Sequence, residues 1–127
     1  MPILYTVDTE AGVILTTASG RLTDEDVLGH KKTLLDDPRV AAGMSEISDV
    51  REVTELAVTP VGVRSFVSFD RASAPALPGH RLAIVASQDF VFGMARMYQM
   101  TGSEDDRVGV FRCPDEAKAW LGLHTAG

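Results

Sequence analysis

Arg81-Leu82-Ala83-Ile84-Val85-Ala86 runs directly into Ser87-Gln88-Asp89 and then into Phe90–Thr101. No other stretch restricts the possible folds as much. A short apolar run with β-branched residues predicts a buried strand, and the polar triplet after it predicts a helix cap. The helix that follows is apolar on most of its circumference, so it must bury more than one side. A strand feeding a helix is half of a βαβ unit.

The rest of the chain fits around this unit. Ile3–Asp8 alternates with period two, Thr9–Gly12 turns the chain, and Val13–Ser19 is a second β-rich run, so a hairpin is expected with Gly20-Arg21-Leu22 closing it. Thr23 caps a helix that begins with Asp24, Glu25 and Asp26, ends before Pro38, and buries Val27, Leu28, Leu34 and Leu35, with His30 at the edge of the stripe. Met44–Val50 is expected to be a strand, and Val53–Val58 a connection anchored by Leu56. Thr59-Pro60 opens a second helix, with Val63, Phe66, Val67 and Asp70 on one face. Ala72–Gly79, with two prolines, predicts a surface loop, and Gly102–Asp106 an acidic turn. Arg107–Arg112 is the last expected strand. A short helix from Pro114 turns Ala117, Trp120 and Leu121 inward.

This order, ββαβαβαβα, predicts an α/β fold: a mostly parallel five-stranded sheet with an antiparallel first strand. Crossovers stepping one way give strands in sequence order with helices on one side. The other sheet face is then thinly covered, and a second copy of the chain is the expected cover, making a homodimer. A single domain over 1–122 and a frayed tail over 123–127 are expected. A hydrophobic content of 45% over 127 residues supports a real core.

A formal charge of −6 argues against nucleic-acid partners, which need clustered basic residues. No apolar run approaches the roughly 20 residues of a membrane span, and Met1-Pro2-Ile3-Leu4 lacks the basic start of a secretory signal. With one cysteine, Cys113, no internal disulfide forms, which fits the cytoplasm. His30, His80 and His124 lack metal-ligand spacing, and Cys-x-x-Cys, a Gly-rich phosphate loop and a Gly-x-Ser-x-Gly elbow are all missing, so neither metal nor cofactor is expected.

The candidate site residues fall into three groups. Asp49 and Arg51 (with Glu52) follow one strand, and Ser87, Gln88 and Asp89 follow the next. Ligands in open α/β sheets favour that edge, although mutual salt bridges and a cap explain the same residues. Met94, Met97 and Met100 recur along the third helix with Tyr98, Phe90 and Phe92 nearby; this stripe is core, an interface, or the wall of an apolar pocket. Thr59 is a cap, or a phosphoacceptor at a helix start where negative charge is favourable.

Several stretches together resemble the SpoIIAA-like or STAS-like families, including their small STAS/SEC14-like bacterial members. They are Gly20-Arg21-Leu22-Thr23 before the first helix, Asp49–Val53, Arg81–Val85 with Asp89–Tyr98, and Val110-Phe111-Arg112 with Glu116–Leu121. The resemblance implies a βα superhelix and a non-enzymatic regulatory module that binds a protein partner, as anti-sigma-factor antagonists do. Those proteins are switched by phosphorylation of a serine in an Asp-Ser pair. Here the corresponding stretch is Ala57-Val58-Thr59-Pro60-Val61-Gly62, without that pair, which implies a module lacking the serine switch. The SEC14-like side of the resemblance implies the alternative, a carrier or sensor of a small apolar or lipid-like ligand.

Overall fold

The computed structural model of the chain describes residues 2–102 and 107–123. The expected acidic turn beyond Gly102, His124 and the rest of the tail lie outside the described residues.

The elements are β1 (Ile3–Asp8), β2 (Val13–Thr23), α1 (Asp24–Asp36), β3 (Ser45–Ala57), α2 (Pro60–Ser73), β4 (Arg81–Val85), α3 (Asp89–Thr101), β5 (Val108–Phe111) and α4 (Pro114–Leu121). They form one five-stranded sheet in the order β1-β2-β3-β4-β5. β1 is antiparallel to β2, and every later pairing is parallel. The connection after α2 carries a single 3₁₀ turn over Ala74–Ala76.

Helices α1, α2 and α3 share one face of the sheet. Their core joins Val63, Phe66 and Val67 of α2 and Val91, Ala95 and Tyr98 of α3 to Ala18, Leu22, Val50, Val53 and Ile84 of the strands. Leu35, expected on the buried face of α1, is 36% exposed, while Leu34 beside it is buried. Two adjacent residues are separated by about 100° around a helix, so only one faces the sheet squarely.

The opposite face is better covered than expected. Helix α4 crosses it, packing Ala117, Trp120 and Leu121 against Val13, Ile47, Ala83 and Val85. The Arg81 guanidinium lies 3.9 Å from the Trp120 ring centroid and closes that layer. Leu123, expected in the tail, donates its backbone N–H to Lys118 O at 2.9 Å and packs on the same cluster. The α4 layer stops short of the hairpin. Leu4 and Leu15, on the face opposite α1, stay 68% and 45% exposed.

Strand β3 is longer than expected. Residues 53–57, expected as a connection, continue it and pair with Gly20–Thr23 of a likewise longer β2. The register shifts between Thr17 and Ser19 and again between Gly20 and Arg21. Each shift adds a residue to one strand and reverses which positions face the core. Val50 and Val53 are therefore both buried although three residues apart, and period two is lost just where the strand goes on. Gly20 sits at φ 69°, a conformation natural for glycine at a bulge.

The two N-termini of α1 and α2 are locked together. Thr23 Oγ1 accepts from Asp26 N at 3.1 Å while Thr23 N donates to Asp26 Oδ2 at 3.0 Å, a reciprocal capping box. Asp24 reaches across to α2 and accepts from Thr59 N at 2.8 Å and Thr59 Oγ1 at 2.6 Å. A Cβ on Gly62 would lie 2.0 Å from Asp24 Oδ1, so Asp24 can hold Thr59 only because residue 62 is glycine. Gly62→Ala is expected to swing Asp24 away, losing about 1–2 kcal/mol with two exposed hydrogen bonds at a cap, of which a gain in helix propensity of up to about 1 kcal/mol returns part. In urea unfolding, Asp24→Ala should cost much less in the Gly62→Ala background than in the wild type, because the contact is already lost.

Candidate ligand-binding site

Between α1–α3 and their sheet face lies a partly open cavity of about 120 Å³. Val63 and Phe66 of α2, Val91, Met94 and Ala95 of α3, and Ile84 of β4 supply apolar wall. The long β2–β3 extension closes one end with Leu22 and Leu56. The opposite end is polar, and a second cavity of about 110 Å³ begins there, running out between α2 and β4 toward His80 and Arg107. Lys31, Glu46, Leu82 and Tyr98 line both cavities, so they form the partition between them.

The partition holds two polar groups. In the first, Glu46 Oε2 accepts from Thr16 Oγ1 at 2.7 Å and from His30 Nε2 at 2.8 Å. The side chains of His30 and Glu46 are only 10% and 7% exposed. Burial works against the Glu46 charge, but the hydrogen bond and charge of His30, the Thr16 hydroxyl and the nearby Lys31 outweigh it. They hold the carboxyl below its ordinary pKa. Tyr5 sets the ring of His30 from outside, packing edge-on at 5.5 Å, and its hydroxyl donates to Asp37 Oδ2 at 2.8 Å.

In the second group, Lys31 Nζ donates to Asp70 Oδ1 at 3.0 Å and to Tyr98 Oη at 3.0 Å, while the Tyr98 hydroxyl donates to Asp70. Burial opposes the Lys31 charge, but the Tyr98 and Asp70 oxygens more than offset it, so Lys31 stays an ammonium well above the ordinary lysine pKa. Burial first, and the Asp70 charge after it, push the Tyr98 hydroxyl up to about 12, so it remains a donor at neutral pH. The side chains are unequally held: Lys31 is 14% exposed and Asp70 39%.

The expected edge site divides differently. Asp49 and Arg51 are mid-strand, because β3 continues to Ala57. They pair with each other, Arg51 Nη2 to Asp49 Oδ2 at 2.7 Å, and the hydrogen bonds from Arg51 hold the Asp49 carboxyl below its ordinary pKa. Arg112 draws in the next turn, donating to Ser87 O at 2.8 Å and meeting Asp89 Oδ1 at 3.0 Å, with its guanidinium over Phe92. Gln88 is the N-cap residue of α3 and makes no side-chain cap bond. None of these residues lines either cavity. Thr59 is a true cap, accepting from Gly62 N at 3.0 Å.

Of the α3 stripe, Met94 and Tyr98 line the inner cavity, whereas Met97 packs on the core beside it. Phe90 and Met100 point outward, 51% and 65% exposed. Sequence reasoning passed over Thr16, Lys31 and Glu46 as site residues. The available signal was polar residues on apolar faces: Glu46 in a buried strand, Lys31 one turn after Val27, Asp70 one turn after Phe66.

No helix of the described residues is long and apolar enough to cross a membrane. No family model matches the chain, and no curated protein matches it. A solved structure does. It is an uncharacterized protein from the DUF3478 family, with a SpoIIAA-like fold, from Shewanella loihica PV-4. The two are 14% identical, superpose with a TM-score of 0.59, and cover 94% of this chain and 93% of that one. The sheet order, the single antiparallel pair and this overlap together identify the architecture: the chain has a SpoIIAA-like fold.

Proposed function

We propose that this chain is a non-enzymatic regulatory module whose input is a small, mainly apolar ligand held between α1–α3 and the sheet. The observation that carries the reading is the inner cavity of about 120 Å³, apolar along α2 and α3 and polar at one end. Ligand sites of this kind combine apolar walls with a few fixed polar groups. Its size matters: drug-sized ligands fill roughly 300–1,000 Å³, whereas a void of about 150 Å³ takes benzene. The part of the ligand body inside it is therefore one small ring or about six carbons of a chain.

Thr16, His30 and Glu46 do not favour a catalytic reading. The Thr16 hydroxyl lies 3.4 Å from His30 Nε2 and points its proton at Glu46 instead, a carboxylate held below its ordinary pKa and so a weak base. Asp49 and Arg51 are committed to each other.

Native mass spectrometry of protein purified from its own cells, compared with the denatured mass, tests the reading. Extra mass that disappears on denaturation is expected. Filling the cavity with Ala95→Phe should remove that extra mass. Extra mass that persists unchanged in the Ala95→Phe protein would place the bound molecule elsewhere and count against it.

A second reading, a protein-interaction module and homodimer, is supported by Leu4 and Leu15, which leave an apolar patch on the hairpin face that α4 does not reach. Leu15→Lys is then expected to convert a dimer to a monomer in sedimentation equilibrium with the fold retained. Phosphorylation of Thr59 fits this module poorly, since a phosphate there would face the Asp24 carboxylate.

A further inference from the structure

We infer that the cavity ligand carries a carboxylate, whose oxygens take the place of Asp70 on Lys31 and Tyr98. This rests on the ligand reading above and adds the chemistry of the head group. Lys31 Nζ and Tyr98 Oη are 3.0 Å apart at the partition, two donors converging on one carboxylate, that of Asp70. The donors are fixed: Tyr98 is 8% exposed and anchored edge-on against Phe66, and the Lys31 side chain is largely enclosed.

Their acceptor is not fixed in the same way. Asp70 sits on the cavity rim at the C-terminal half of α2, with 39% of its side chain in contact with solvent. A rotamer change carries its charge into water, where an exposed carboxylate is well solvated, so the cost of the move falls on the two donors it leaves behind. Lys31 has no comparable exit. Once Asp70 turns away, the enclosed ammonium needs another anion, and an unpaired buried charge is strongly unfavourable. A neutral head group would strand it. A second cation would add to it.

Glu46 fills the gap only in part. Its charge acts on Lys31, but it makes no hydrogen bond to Nζ, and its Oε2 already takes two donors, Thr16 and His30. A carboxylate held at the partition meets Lys31 and Tyr98, which line both cavities, with its apolar body in the inner cavity toward Val63 and Met94. The ligand class is therefore a short aliphatic or single-ring carboxylic acid, bound as its anion.

Calorimetric titration with octanoate and with 1-octanol at pH 7 tests this, because the two probes share a chain and differ in charge. Octanoate is expected to bind at least tenfold more tightly than 1-octanol. Lys31→Met should bring octanoate down to the octanol value. Asp70→Asn, a change on the rim that keeps the shape, should strengthen octanoate several-fold by removing the competing anion. Equal affinity of the two probes for the wild-type protein would overturn the inference and leave the ligand reading standing. Preferential octanoate binding that survives Lys31→Met, or weakens with Asp70→Asn, would also overturn it. Binding of neither probe would remove the ligand reading itself.

Discussion

Phe66→Ala is expected to destabilise the protein by about 3–5 kcal/mol, the range for truncating a buried aromatic. Phe66 is 4% exposed, packs edge-on against Tyr98 with ring centroids 6.4 Å apart, and forms part of the cavity wall. The new void opens into one of about 120 Å³ that α2 and α3 already fail to fill. An enlarged apolar void also binds apolar solutes. Benzene added at a hundredfold excess over its dissociation constant should return about 2.7 kcal/mol by mass action. Urea unfolding of the variant with and without benzene checks both numbers. A loss below about 1 kcal/mol would mean that the ring is not part of the packed core.

Glu46→Ala is expected to cost about 3 kcal/mol, close to the lower end for breaking a buried charged pair by removing one partner. The substitution strands the His30 ring and the Thr16 hydroxyl in a nearly dry site and removes a negative charge that Lys31 feels. Glu46→Gln, which retains an acceptor oxygen, should cost less. The pH dependence gives a second readout. The Glu46 carboxyl has a lower pKa folded than unfolded, so its contribution is fully present above the ordinary glutamate range of about 4.3 and is lost as pH falls through the depressed folded value. Wild-type stability should therefore fall more steeply with acid below about pH 4 than that of Glu46→Gln. Parallel acid profiles for the two proteins would show that Glu46 is not held as a paired anion.

The hairpin, the caps at Thr23 and Thr59, and the inward face of α4 were legible in the sequence because each depends on local chemistry, and the strand order followed from crossovers that step one way. A threonine followed by three acids favours a helix start through its capping hydroxyl and the helix dipole, both acting within one turn. The continuation of β3 beyond Val50 was not legible. Two bulges break the alternation that announces a strand, and only pairing with Gly20–Thr23 makes residues 53–57 extended. The site was legible in part. Met94 and Tyr98 stood out because α3 is apolar on too many sides for a surface helix. Lys31, Glu46 and Asp70 looked like ordinary polar positions on three separate elements, and only the tertiary fold brings them to one partition. Conversely, Asp49, Arg51 and Asp89 stood where a ligand edge or mutual salt bridges were both open readings, and the fold pairs Asp49 with Arg51 and Asp89 with Arg112.

One measurement tests the cavity directly: methyl-detected NMR of the wild-type protein titrated with 1-octanol. The expected result is saturable shifts at Val63, Ile84, Val91 and Met94, the methyl groups of the inner wall, abolished by Ala95→Phe. Shifts confined to the exposed Leu4 and Leu15 would contradict a ligand site beside α3 and leave the hairpin face as the functional surface.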